Sequence, residues 1–321
     1  MRNIFTFIGK VLFPAFLVAA VSNLAFGQAM LRRAMDFDGD GKADYVIFRP
    51  SNNYWYILTS QNNVVIQPWG IANEDHLVPG DYDGDGKADL AVWRDTNGIW
   101  FVINSGSSTV SIAQFGVTGD EPVARDYDGD GKTDFAVVRR SNGAMLWYVL
   151  RSSDLGLSVA QFGLSTDYTA PGDYDGDGKF DLAVQRPGAN ANDLSIFYIN
   201  QTTAGFRAVP WGFANDFVVP GDYDGDGKTD IAVVREGATA SDNLWWYIIK
   251  SSDGNPLFVP FGLTGTDYTA QGDYDGDGKT DLGVWRNSTG QFFVFNQVTI
   301  SLTAIPWGMS NDYPVANFDT H

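Results

Sequence analysis

Residues 81–94 read DYDGDGKADLAVWR, an acidic nine-residue loop running directly into an apolar strand that ends in arginine. The loop pattern, Asp-aromatic-Asp-Gly-Asp-Gly-Lys-x-Asp, also begins at Asp36, Asp126, Asp173, Asp222 and Asp273, which spaces the six starts by 45, 45, 47, 49 and 51 residues. A period of that length marks a repeat architecture, in which no unit buries its apolar face alone and each must pack against its neighbours.

Outward from the loop, every copy follows one plan. The arginine-terminated strand (LAVWR 90–94, FAVVR 135–139, IAVVR 231–235) leads through a polar turn to an aromatic strand such as YWYIL 54–58, IWFVI 99–103 or LWWYII 244–249. These are the residue types that suit a half-buried pleated surface. A further turn and a fourth segment run into Phe-Gly or Trp-Gly, with the aromatic at Trp69, Phe115, Phe162, Trp211, Phe261 and Trp307, and a short strand then enters the next loop. Four short strands per repeat, with no helical periodicity after residue 27, predict an all-β fold: a single β-propeller of six four-stranded blades. Seven blades and a stacked solenoid are the alternatives. The stretch DYPVANFD (312–319) copies the start of a blade and predicts a C-terminal closing strand in the first blade, in competition with residues 30–35 for the same slot.

Three carboxylates on alternate residues of a tight turn, with glycine where the chain bends sharply, supply the oxygens that a hard divalent cation requires. The expected ligands of the first three loops are Asp36, Asp38, Asp40, Lys42 (through its carbonyl) and Asp44; Asp81, Asp83, Asp85, Lys87 and Asp89; and Asp126, Asp128, Asp130, Lys132 and Asp134. Those of the last three are Asp173, Asp175, Asp177, Lys179 and Asp181; Asp222, Asp224, Asp226, Lys228 and Asp230; and Asp273, Asp275, Asp277, Lys279 and Asp281. An EF-hand is excluded, because its twelfth loop position needs a bidentate acid and here holds Ile47, Val92, Val137, Val184, Val233 or Val284. Calcium, about six ions, is the expected cofactor, and its role is structural.

The loops and the Phe-Gly element resemble the FG-GAP repeats of integrin α-subunit propellers and the VCBS-type repeats of exported bacterial proteins, over residues 36–319. The resemblance implies a loop joining the first two strands of a blade and holding calcium through positions one, three, five, seven and nine, all of which match in all six copies. The Gly-Ala-Pro element of that family is absent, and the arginine-terminated strand stands in its place, so the family's ligand surface does not carry over.

Residues 1–27 have a basic start (Arg2, Lys10), an apolar stretch from Val11 to Val21 and small residues at Ala25, Gly27 and Ala29, the pattern of a secretory signal cleaved after 27 or 29, leaving 30–321 as the propeller. The expected location is therefore secreted, periplasmic or cell-surface. No later stretch approaches the ~20 apolar residues of a membrane span. With no cysteine, an exported chain has no disulfides, and metal ions are the obvious crosslink. The net charge of −18 is hostile to nucleic acid and anionic membrane. Of 39 acidic residues, 24 sit in the six loops, so the charge is organised for cations rather than spread over the surface.

Two further sets recur in register: Arg49, Arg94, Arg139, Arg186, Arg235 and Arg286, and Asp75, Asp120, Asp167, Asp216, Asp267 and Asp312. Both fall on the face opposite the loops and are expected to form bidentate bridges tying neighbouring blades, with a ligand-binding polar ring as the alternative. The ladder Trp55, Trp100, Trp147, Phe197, Trp246 and Phe292 is expected to be core rather than a sugar-stacking surface. There are two histidines, His76 and His321, and no nucleophile-elbow serine, so no catalytic constellation is legible. The expectation is a non-catalytic, monomeric recognition or adhesion module for an extracellular protein or glycan. A polysaccharide lyase or hydrolase on a propeller scaffold, or a purely structural surface protein, stands as the alternative.

Overall fold

The computed structural model describes residues 35–316, and the expected signal segment, the residues up to 34 and the tail from 317 lie outside them. The described chain forms twenty-four strands, β1 to β24 in chain order, arranged as six four-stranded antiparallel sheets. In the second blade these are β4 (Asp75–Leu77), β5 (Leu90–Arg94), β6 (Ile99–Ile103) and β7 (Val110–Gln114). The first blade combines β1 (Tyr45–Arg49), β2 (Tyr54–Leu58) and β3 (Val64–Pro68) with the C-terminal β24 (Tyr313–Pro314), in the order β24-β1-β2-β3. Ile47 pairs with Pro314 and Phe48 with Tyr313. The closing strand thus comes from the C-terminus, and the ring of six blades is joined by its two ends, which removes the exposed sheet edges an open ring would present.

Each sequence repeat is offset from its blade by one strand. The segment that ends one repeat, such as β4, becomes the first strand of the next blade, so every blade is stitched to its predecessor by the chain itself. The arginine-terminated strand comes second. It is buried on both faces, as in the BBBBi pattern of β5, because it packs against both neighbouring blades. The aromatic strand alternates, iBiBi in β6, and the outermost strands β3 and β7 are exposed.

The core is six separate clusters, one in each seam between blades. Trp55 and Ile57 of the first blade pack on Leu90 and Val92 of the second, Trp100 on Val137, Trp147 on Val184, Phe197 on Val233, Trp246 on Val284, and Phe292 on Ile47 of the first blade again. All six ladder positions are at most 1% exposed, as core placement requires. The indole N–H of Trp55, Trp100, Trp147 and Trp246 donates to the carbonyl of Trp69, Phe115, Phe162 and Phe261 respectively, which satisfies the polar edge of each buried ring. Where the connector carries Trp instead of Phe, its own N–H reaches the next blade: Trp69 to Phe101 O, Trp211 to Tyr247 O and Trp307 to Tyr56 O. The glycine that follows is demanded by the seam. Gly70 has φ of +87°, and a Cβ there would come within 3.0 Å of Val92 in the next blade.

Candidate metal centres and the opposite face

Each acidic loop lies between the first and second strands of a blade and is wound around its first aspartate. Asp36 Oδ1 accepts from Gly39 N at 2.6 Å and Oδ2 from Gly41 N at 2.8 Å, and Asp81 does the same with Gly84 and Gly86. Gly41 sits at φ +86°, the left-handed conformation that glycine adopts without steric cost. The ninth-position aspartate faces it: Asp44 Oδ2 accepts from Phe37 N, and Oδ1 from Ser60 N in the turn between β2 and β3. The loop is therefore a cup whose rim is carboxylate.

Carboxylate oxygens from three aspartates converge to within 4.8 Å of one another in Asp36, Asp38 and Asp40, in Asp81, Asp83 and Asp85, and in Asp222, Asp224 and Asp226. The third and fourth loops bring together Asp126, Asp128 and Asp134, and Asp173, Asp175 and Asp181. Both oxygens of Asp38, and Oδ1 of Asp175, are buried without any hydrogen-bond partner from the protein. Such atoms cost free energy unless something satisfies them, and an oxygen-seeking cation is the group that fits. The electrostatics agree. Burial, followed by the negative charge of neighbouring carboxylates, pushes Asp44, Asp181, Asp222 and Asp281 up to about 7 and Asp230 to about 8. A cation in the cup would relieve that cost.

The structure adds two elements that spacing alone left unread. A hydroxyl from the turn after the aromatic strand closes over the fifth-position carboxylate: Ser60 on Asp40, Ser105 on Asp85 (3.0 Å), Ser152 on Asp130 (2.9 Å), Thr202 on Asp177 (2.5 Å) and Ser251 on Asp226 (2.8 Å). The signal was present, a Ser or Thr 24 to 29 residues after the loop's first aspartate. The sixth blade departs from it: Gln297 stands in that place, and Asn296 Nδ2 reaches Asp281 instead, at 3.1 Å.

The loops also form a ring of their own. The eighth-position amide of each loop donates to the first-aspartate carbonyl of the loop before it: Ala88 to Asp36, Thr133 to Asp81, Phe180 to Asp126, Thr229 to Asp173, Thr280 to Asp222 and Ala43 back to Asp273, all 2.6–2.8 Å. The loop lysines lean the same way. Lys132 Nζ donates to Asp83 O at 2.9 Å, and Lys87 and Lys42 lie against Gly39 and Gly276 of the preceding loops.

On the opposite face all six arginine–aspartate pairs form. Arg94 Nε and Nη2 donate to the two oxygens of Asp75 at 2.7 and 2.9 Å, and the pairs Arg49–Asp312, Arg139–Asp120, Arg186–Asp167, Arg235–Asp216 and Arg286–Asp267 repeat this geometry. Each pair lies within one sheet, between its first and second strands, as in the register Asp75↔Arg94. The tie between blades runs through the aspartate, which also accepts the amide of the connector leaving the preceding blade: Ile71 N to Asp75, Val117 N to Asp120, Met309 N to Asp312. The aspartate side chains are at most 1% exposed. The guanidinium is roofed by an aromatic of the third strand, Tyr56 under Arg49 at 4.1 Å and Phe101 under Arg94 at 4.7 Å. These are seam fasteners.

A cavity of about 840 Å³ runs along the axis, lined by the first strands of five blades. Its wall includes Tyr168, Tyr268 and Tyr313, which share one repeat position, and His76, Glu121 and Arg140, which depart from the repeat. No helix among the described residues is long and apolar enough to cross a membrane.

A family model described as FG-GAP-like repeat matches residues 36–92, 126–184, 173–233 and 222–284, each match running from one acidic loop to the strand beyond the next. No protein of curated function matches the sequence. Among solved structures, a lectin of Agrocybe aegerita that recognises non-reducing terminal N-acetylglucosamine aligns over 81% of this chain and 89% of its own, with 14% identity and a TM-score of 0.52. The dihydro-heme d1 dehydrogenase NirN covers 89% of this chain and 57% of its own at 14% identity, with a TM-score of 0.37. A putative 6-phosphogluconolactonase of Bacteroides uniformis covers 86% and 98% at 11% identity, with a TM-score of 0.42.

Proposed function

The chain belongs to the FG-GAP-like repeat family, and from that premise we propose that it is an exported, non-catalytic recognition or adhesion module whose six acidic loops each hold one calcium ion. The observation that carries the calcium reading is the set of buried carboxylate oxygens with no protein partner at Asp38 and Asp175, inside cups of three converging aspartates. Calcium would supply neutralising charge and six to eight oxygen bonds per ion, with affinities of ~10⁻⁴ to 10⁻³ M typical of extracellular modules. The protein's own residues do the rest. Backbone amides orient the first and ninth aspartates, the turn hydroxyls hold the fifth, and the amide-to-carbonyl ring transmits order from one loop to the next.

Export is supported by the signal-like segment at 1–27 and by a chain without cysteine in which metal takes the place of disulfides. The non-catalytic reading is supported by repetition: the residues with shifted ionisation lie mostly in six equivalent cups, whereas catalysis needs a matched pair in one place. The fold is one that a lectin also uses, and the ligand proposed here is a protein or a glycan. The test is calcium titration calorimetry on chelated mature protein, with thermal melts in calcium and in EDTA and a turnover assay on polysaccharides. Close to six ions bound, a melt strongly lowered by EDTA and no product release are expected. Melts indifferent to EDTA would sink the metal reading, and product release would sink the non-catalytic one.

A further inference from the structure

The sixfold pattern breaks along the axis. Directly after each bridging aspartate, the residue on the first strand is His76, Glu121, Tyr168, Phe217, Tyr268 or Tyr313. Five of these six line the axial cavity, on the half that also includes Pro50, Asn73, Ser165 and Thr166 of the arginine-face turns. Tyr168 and Tyr313 are 52% and 51% exposed, and His76 is exposed too. These are large rings left facing an open space on the short first strands of their blades. They stand on rigid supports: His76 lies 5.5 Å from the fully buried Trp93, and Tyr268 6.2 Å from the fully buried Trp285.

The carboxylates beside them are already paired. Glu121 accepts from Arg140 Nη2 at 2.6 Å and from the Thr169 hydroxyl at 2.6 Å. Arg140 Nη1 donates to Ser165 O and Asp167 O. Asp75 and Asp167 are held by Arg94 and Arg186. Arg125, deeper on the axis, donates to Ala124 O and lies over the Phe180 ring. At the mouth, above Arg125, the wall therefore offers aromatic faces, phenolic hydroxyls and carbonyls, with the charges of Glu121, Arg140, Asp75 and Asp167 paired.

We infer that this axial cavity, open on the arginine face, is a binding site for the end of a neutral oligosaccharide. It rests on the recognition reading above and narrows it to one ligand class and one mouth. Pyranose rings present apolar C–H faces that stack on tyrosine and hydroxyl edges that pair with polar groups, the combination this wall displays. At the mouth an ionic ligand would have to break the Arg140–Glu121 pair or displace a seam arginine from its aspartate, and the second would leave a buried charge behind. An extended peptide would need a strand edge to pair with, and the axial strands are only two or three residues long. The volume of about 840 Å³ falls within the range of small-ligand pockets and leaves room for more than one sugar unit.

The experiment uses calcium-loaded mature protein in titration calorimetry with cello-, xylo-, manno- and chito-hexaose, and hexagalacturonate as the charged comparison. One or more neutral hexaoses should bind, and Tyr168→Ala and Tyr313→Ala should each weaken binding by more than about tenfold, the loss of a hot-spot aromatic. Both variants should melt as the unmutated protein does, because these rings are half exposed. Phe258→Ala, on the outer rim and 51% exposed, should bind normally. Binding that survives both tyrosine changes would place the site elsewhere and overturn the axial site while leaving the recognition reading intact. Preference for hexagalacturonate would overturn the neutral-ligand argument. Failure of all five saccharides to bind would overturn the proposal outright, with a protein ligand still open to the recognition reading, whereas shortened products in the cell would overturn that reading itself.

Discussion

Replacing Arg94 by alanine is the substitution that separates a seam fastener from a ligand-binding ring. In the native protein the Asp75 carboxylate is 1% exposed and accepts three bonds, from Arg94 Nε at 2.7 Å, Arg94 Nη2 at 2.9 Å and Ile71 N at 2.8 Å. Arg94→Ala leaves the charge buried with one amide and also removes the guanidinium from the face of Phe101, 4.7 Å away. Stripping one partner from a buried pair costs about 3–5 kcal/mol, against about 0–1 kcal/mol for an exposed surface pair. The structure puts this pair in the first class, tempered by the 21% exposure of the arginine side chain, so a loss of roughly 3 kcal/mol is expected. The assay is urea unfolding in saturating calcium, with Asp75→Ala and the double variant completing a cycle. The double variant should lose distinctly less than the two single losses added together, because neither charge is then orphaned. A loss below about 1 kcal/mol for Arg94→Ala would place the pair with surface bridges and return the arginine ring to the list of ligand surfaces.

Acidity should act oppositely on the metal-free and metal-loaded protein. Burial and neighbouring charge raise Asp44, Asp126, Asp222 and Asp230 in the folded state to between about 7 and about 8, so the stability they provide is present at acid pH and lost as pH rises towards those values. In EDTA, calorimetric melts should therefore be higher at pH 5 than at pH 8, and in calcium the order should reverse because protons compete with the ion; a metal-free melt that climbs from pH 5 to pH 8 would contradict the cup electrostatics. Asp38→Asn removes a charge whose oxygens have no protein partner, so it should raise the melting temperature in EDTA and lower it in calcium. A fall in both conditions would mean that the carboxylate is needed without metal. Trp100→Ala empties a fully buried seam position and removes one of the two indole donors to the Phe115 carbonyl, Trp93 Nε1 being the other, and denaturant unfolding should show a loss of about 3–5 kcal/mol from the cavity.

The loops and bridges were legible because each is a local or strictly repeated pattern. Asp36 to Asp44 make their cup within nine residues, so spacing alone implies convergence. Arg94 and Asp75 could be matched because six copies of each recur in phase. Their placement within one sheet was not legible, because it depends on the one-strand offset between sequence repeat and blade, which is a property of ring closure. The hydroxyls of Ser105 and Ser152 over the loops escaped notice because they stand in turns of variable length, where serine has an ordinary turn role. His76, Glu121 and Tyr168 were invisible for the opposite reason. His76 and Glu121 each occur once at that position, tyrosine stands there in only three of six copies, and only the closed ring brings residues 45 or more apart in sequence onto one axial wall.

Why the third blade carries most of that departure follows from contacts between successive loops. Four blades hold glycine just before the acidic loop, Gly80, Gly172, Gly221 and Gly272, where the third holds Arg125. A Cβ at Gly80 would lie 2.5 Å from Thr133 Oγ1, one at Gly172 2.6 Å from Thr229 Cγ2, and one at Gly221 2.9 Å from Thr280 Oγ1, so a β-branched neighbour in the next loop excludes any side chain there. After Arg125 the corresponding residue is Phe180, whose single γ-carbon clears the space and whose ring comes to lie beneath the guanidinium. Arginine and phenylalanine are thus matched across this contact, where a threonine would crowd the arginine Cβ as it would a Cβ at Gly80, Gly172 or Gly221. It touches the axis and leaves the six seams alone: Phe180 N still donates to Asp126 O at 2.8 Å, as its counterparts do around the ring. A propeller held by repeated fasteners at its seams can vary its axial wall at little cost to its closure, which is why the axis is where this chain departs from its own repeat.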